Sequence, residues 1–134
     1  MDAMSEYKVT ELGSIDQWAG KNFVQGELGA DTVGISVNAT EPGDSSPFWH
    51  SHADTEEIYI VLDGQGEISV GDDTVALKAG TVVRVAPNSK LALRALPESA
   101  TPLKWLCVRS GANTIEAIGN DATLDRETPF PWAK

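Results

Sequence analysis

Groups that react or ligate are scarce in this sequence. Among 134 residues there are two histidines, one cysteine and two tyrosines. A single cysteine, Cys107, excludes an intrachain disulfide. No apolar run approaches the ~20 residues needed to cross a bilayer as a helix, so a membrane is not an expected partner. Basic residues are outnumbered: ten Lys and Arg stand against twenty Asp and Glu, a formal charge of −10. Such a surface repels phosphate backbones and makes nucleic acid a poor partner. The first residues, Met1-Asp2-Ala3-Met4-Ser5-Glu6, have neither the positive start nor the apolar segment of a secretory signal, and a cytoplasmic location is expected. No long helical periodicity and no helix-turn-helix pattern is found, which speaks against a transcription factor.

What is present reads as strands. The 41% hydrophobic content is enough for one domain with a substantial core. Short apolar runs recur at Val33 to Thr40, Glu57 to Leu62, Glu67 to Val70, Thr74 to Leu77, Thr81 to Val85, Leu91 to Ala95 and Leu103 to Arg109. Turn residues separate them at Gly64-Gln65-Gly66, Gly71-Asp72-Asp73, Lys78-Ala79-Gly80 and Ala86-Pro87-Asn88-Ser89. This spacing predicts an all-β, antiparallel sandwich or barrel. Further strands are expected at Tyr7 to Leu12 and Phe23 to Leu28, with a helical turn from Ser14 to Trp18. The expected domain is thus single, over residues 1–134. Its barrel core is 33–110, with N-terminal strands in 7–28 and a C-terminal tail, 111–134, packed across the outside.

Both histidines fall in one stretch, Phe48-Trp49-His50-Ser51-His52-Ala53-Asp54-Thr55-Glu56-Glu57. Residues i and i+2 of a strand share a face, so His50 and His52 project side by side. Two adjacent imidazoles with a carboxylate from the next strand form a set of divalent-metal ligands. By the same parity Trp49 lies on the opposite face, covering an outer surface or an interface. Ile58-Tyr59-Ile60-Val61-Leu62 is apolar at both parities, as when both faces of a strand are covered. One cover would be the core. The other would be the N-terminal segment, the C-terminal tail or a second subunit, and a homodimer is expected.

With these residues in view, the sequence resembles the cupin superfamily of small β-barrels. The first cupin motif runs from a glycine through His-x-His to Glu and a final Gly. Here Gly43 precedes His50-Ser51-His52, Glu57 follows and Gly64 closes the motif. The spacing selects Glu57 over Glu56, which is assigned to solvent or a surface pair. In the second motif, Gly80-Thr81-Val82-Val83-Arg84-Val85-Ala86-Pro87 matches, but Leu91 stands where the family usually has its last metal histidine. The resemblance, over about residues 33–110, implies a double-stranded β-helix or jelly-roll barrel with His50, His52 and Glu57 pointing inward. Tyr59 and Val61 share parity with Glu57 and, with Leu91 and Leu93, are expected to line a pocket. Arg84 is expected outward in a salt bridge. Trp105, Cys107 and Arg109 share one face of the last strand; Cys107 is read as an inert buried thiol, a soft fourth ligand being the lesser alternative.

Two histidines and one carboxylate with open positions suit Fe(II) and related ions, so Fe, Mn, Ni or Zn is the expected cofactor, against a metal-free pocket. Three functions stand side by side. One is a metal-dependent oxygenase or isomerase acting on a small molecule. Another is a non-catalytic module holding a small ligand in the barrel. The third is a degenerate barrel with a structural or interaction role. The ligand triad favours the first; Leu91 and the scarcity of acid–base groups favour the second.

Overall fold

The computed structural model describes residues 6–111 and 119–133. Among the described residues ten strands build two antiparallel five-stranded sheets facing one another, a double-stranded β-helix. In chain order the strands are β1 Gly20–Phe23, β2 Val33–Thr40, β3 Trp49–His52, β4 Glu57–Asp63, β5 Gln65–Val70, β6 Asp73–Lys78, β7 Val82–Val85, β8 Leu91–Ala95, β9 Leu103–Ser110 and β10 Ala122–Asp125. One sheet has the order β1-β2-β9-β4-β7 and the other β10-β3-β8-β5-β6.

The period-2 pattern decides which side chains enter the barrel. On β4, Glu57, Tyr59 and Val61 are buried, whereas Ile58 is 37% exposed and Ile60 and Leu62 are half-buried. On β9, Leu103, Trp105, Cys107 and Arg109 take the inner face. Ile68, Leu77, Val85, Leu91 and Leu93 complete the apolar cluster between the sheets. The tight turn between β4 and β5 depends on Gly64. Its φ is 83°, and a Cβ there would lie 2.5 Å from the Pro102 carbonyl oxygen, so any other residue meets both backbone strain and a clash.

Three expectations for the ends of the chain need correcting. Tyr7 to Leu12 forms no strand: Tyr7 and Val9 are 80% and 68% exposed, and alternation without a neighbouring edge to pair with gives no ladder. Phe23 to Leu28 is not one strand either. β1 ends at Phe23, and Gln25–Leu28 forms a single helical turn, α1, closed by Gly29 in the left-handed region at φ 65°. The Gln25 side chain also accepts the Ile35 N–H, which fastens the turn to β2. Finally, the segment after Gly111 contributes β10, which pairs with β3 from Ala122↔His52 to Asp125↔Trp49. Short Ala-Thr-Leu-Asp runs carry too little hydrophobic pattern to announce an edge strand.

The helical turn near Ser14 is a 3-10 turn, Ile15–Gln17. Trp49 is buried on the outer side of β3, where its indole N–H donates to the Thr128 carbonyl and its ring meets Phe130 at 6.0 Å. Trp132 stacks on Phe130 in turn, so residues 128–132 lie against the outside of the barrel. Among the described residues no helix is long and apolar enough to cross a membrane.

Candidate metal centre

The strands bring three donors together at one wall of the barrel. His50 and His52 come from β3, with ring centroids 5.3 Å apart and the planes nearly perpendicular. Glu57 begins β4 in the opposite sheet and is 2% exposed. The Nε2 of His50 lies 3.8 Å from Glu57 Oε1, and that of His52 lies 3.7 Å from Oε2. One donor atom from each residue falls within 4.8 Å of the others. With ligand bonds of about 2.1 Å, one ion reaches all three after a contraction of a few tenths of an ångström. His50, His52 and Glu57 are thus positioned to hold a metal.

Glu57 is the most heavily supported group in the site. Tyr59 donates its O–H to Oε1 at 3.0 Å, and Arg109 donates Nε–H to Oε2 at 2.9 Å. The Cys107 thiol points at Oε2 from 3.4 Å. β9 places Arg109 directly across from Glu57 in the register. Burial alone would raise the pKa of this carboxyl; the facing His50 and the Arg109 guanidinium outweigh it and hold the pKa at about 2. At 3.8 Å the His50 contact is longer than an ordinary hydrogen bond, so the Arg109 ion pair is the firmer anchor. A carboxylate oxygen has two lone pairs. Oε1, with one hydrogen-bond donor, keeps one for an ion on the histidine side.

His52 is buried and its pKa is lowered, chiefly by that burial, with Glu57 opposing. It is therefore the neutral imidazole that a metal requires. Its Nδ1 is buried without a hydrogen-bond partner, and Asp121 Oδ2 lies 3.6 Å from it. Asp121, just ahead of β10, is fixed by the Asp54 N–H at 3.0 Å. A carboxylate behind the second ring nitrogen is the usual device for setting the tautomer of a ligating histidine. Two observations thus make the fit: a neutral buried imidazole backed by Asp121, and a carboxylate whose Oε1, 3.8 Å from His50 Nε2, keeps a free lone pair.

A cavity of about 540 Å³ opens beside the triad. Tyr59 and Leu93 line it with both histidines, Trp105 and Arg109. Val61 and Leu91 are buried at 1% in the apolar cluster and are not among the lining residues. Leu91 pairs directly with His50 across β3 and β8, so it shares the histidine's face and offers no donor there. Glu56 points outward and pairs with Arg84 on the surface. Cys107 is fully buried, with its pKa pushed up to about 12 by burial and by Glu57. A thiol so reluctant to ionise packs and donates weakly.

Sequence reasoning missed Asp121, Lys21 and Phe23, and it placed Arg109 on a face without pairing it. The Arg109 pairing was legible: an arginine sharing inward parity with Trp105 and Cys107 needs a buried counter-charge, and Glu57 is the carboxylate of the same parity. Nothing in Asp121 or Lys21 distinguishes them in sequence from ordinary surface charges.

Comparison with known proteins agrees with this architecture. Residues 38–109 match the model of the cupin domain family. No curated protein matches the sequence. Among solved structures, a cupin protein from Bacteroides fragilis is 28% identical, with a TM-score of 0.72 over 84% of this chain and 90% of its own. A cupin-like protein from Thermotoga maritima is 24% identical, with a TM-score of 0.63 over 90% and 87%. A predicted oxalate decarboxylase from Thermotoga maritima is 25% identical, with a TM-score of 0.54 over 60% and 67%.

Proposed function

This chain belongs to the cupin domain family, and from that premise we propose that it is a metal-dependent enzyme acting on a small organic molecule, of the oxygenase or isomerase type. The observation that carries the reading is the convergence of His50, His52 and Glu57 within 4.8 Å beside a cavity of substrate size. A bound Fe, Mn, Ni or Zn ion would supply Lewis-acid polarisation or, for iron, redox chemistry at its open positions. The protein's own groups do the rest. Arg109 and Tyr59 orient Glu57, and Asp121 backs His52. The Tyr59 hydroxyl, whose pKa burial drives well above 10, stays protonated and keeps its hydrogen bond to Glu57. Trp105, Leu93 and Leu124 offer apolar surface to a bound molecule. The likeness to a predicted oxalate decarboxylase supports chemistry in this cavity without naming the reaction.

The test is metal analysis of protein stripped of tags and chelators, followed by titration with Fe(II), Mn(II), Ni(II) and Zn(II). One ion per chain is expected, and it should be lost in His50→Ala and His52→Ala. Stoichiometric metal in neither the isolated nor the titrated protein would sink the reading. Leu91 at the usual fourth-ligand position favours a second reading, a non-catalytic cupin that holds a small ligand. That protein would gain thermal stability with a ligand and turn nothing over, whereas an oxygenase consumes dioxygen and stops in His50→Ala. A third, purely structural role would leave metal content, ligand binding and turnover indifferent to all three substitutions.

The outer face of β4 and β7 suggests how the chain assembles. Ile58 is 37% and Val82 61% exposed there, and we read this strip as the contact of a homodimer. Light scattering behind a sizing column should give twice the mass of one chain, falling to one in Val82→Glu.

A further inference from the structure

In a chain of formal charge −10, the cavity beside the triad carries the opposite sign. Its lining includes Lys21, Arg109 and both histidines and, among the described residues, no aspartate or glutamate. Lys21 projects from edge strand β1, and its ammonium lies 5.6 Å from the centroid of the Phe23 ring. The Arg109 guanidinium lies at the same distance from that ring, so two cations share one aromatic side chain.

Only one carboxylate serves them. Glu57 pairs with Arg109 at 2.9 Å, and Arg109 reaches Ser36 with its other arm. Among the described residues no carboxylate pairs with Lys21. Glu57 answers Arg109 and leaves the Lys21 ammonium as the unpaired cation of the lining; a divalent ion at the triad would add two further positive charges. Phe23, Phe48, Trp105 and Leu93 give the walls apolar and aromatic surface beside the neutral polar Asn38, Thr40, Ser45 and Ser46.

We propose that the ligand of this cavity is a small organic anion, a carboxylate on an apolar or aromatic body, with Lys21 as the residue that holds its charge. The apolar body lies against Phe48 and Trp105, and the carboxylate sits between Lys21 and the triad. This deepens the metal-centre reading by naming its substrate class, yet the charge excess at Lys21 does not require the ion. Lys21 acts here as a specificity-determining residue that touches the ligand.

The test titrates benzoate, phenylacetate and hexanoate, each beside its neutral amide, into protein of measured metal content, and follows tryptophan fluorescence and calorimetry. At least one acid should bind, with its amide roughly tenfold or more weaker, the scale of a lost charge-assisted hydrogen bond. Lys21→Met should bring the acid down to the level of the amide, and Lys21→Arg should restore much of the difference. Metal content and melting temperature should stay at the parent values in both variants, as expected for an exposed edge position. Equal binding of acid and amide, an unchanged acid affinity in Lys21→Met, or no acid bound at millimolar concentration would each overturn the proposal. Lys21-dependent acid binding in protein that takes up no metal would uphold it while refuting the metal centre.

Discussion

Glu57 and His52 face each other across 3.7 Å, yet the molecule holds them in opposite ways. Glu57 lies in β4 with β9 on one side and β7 on the other. Both of its oxygens have donors, from Tyr59, Cys107 and Arg109. His52 ends a short strand whose ladder to β8 is a single pair, His50↔Leu91, and whose other neighbour is the late strand β10. Its Nδ1 has no hydrogen bond. The acidic half of the site is therefore tied down by side-chain bonds, while the imidazole half is held by burial and strand pairing, with Asp121 the carboxylate behind it.

Four experiments would break or sharpen this contrast. The largest effect is expected from Glu57→Ala, which leaves the buried Arg109 without a counter-charge and should cost about 3–5 kcal/mol in urea unfolding of the metal-free protein. His50→Ala, at a side chain 21% exposed, should cost less than about 1 kcal/mol. Equal losses would mean that the two halves are not built differently.

Acid comes next. The carboxyl of Glu57 falls from 4.5 to about 2 on folding, so its contribution is present above pH 4.5 and lost as pH falls toward 2. The loss is of order 3 kcal/mol. The His52 pKa is lowered too, so its contribution is also held at high pH and begins to fade once pH drops below 6.5. Urea unfolding of metal-free protein at pH 7, 5.5 and 3.5 should show a shallow decline and then a steep one. A steep limb that persists in Glu57→Gln would assign it to other groups.

Asp121→Asn should move stability little, since this residue supports a histidine and not the core. It should weaken the bound ion roughly tenfold to a hundredfold, the usual scale for losing a carboxylate behind a ligating imidazole. Competition with a fluorescent chelator would read this, and an unchanged affinity would remove Asp121 from the centre. The smallest response belongs to Cys107. With its pKa at about 12, the thiol should resist iodoacetamide at pH 8 in the folded protein and react after denaturation, as mass spectrometry would show.

Legibility followed the strength of local pattern. Parity along β4 separated inward Glu57 and Tyr59 from outward Glu56 and Ile58, because a strand's period leaves no choice once one face is buried. The inner faces of β8 and β9 could be read in the same way. Tyr7 to Leu12 alternates equally well and forms nothing, since alternation does not say whether an edge is free to receive it. Gln25 to Leu28 escaped because a single turn is set by Gly29 and by a bond to Ile35, neither visible as periodicity. Asp121 and Lys21 acquire their roles only through the register of β10 on β3 and β1 on β2. Pairing between segments so far apart leaves no local trace.

That register also divides the centre between distant parts of the chain. Strands β2 to β9 carry His50, His52 and Glu57 together with the apolar cluster, whereas Asp121 arrives only with β10 on the outer edge of β3. A chain cut before residue 119 should therefore keep most of its melting temperature while losing the carboxylate behind His52.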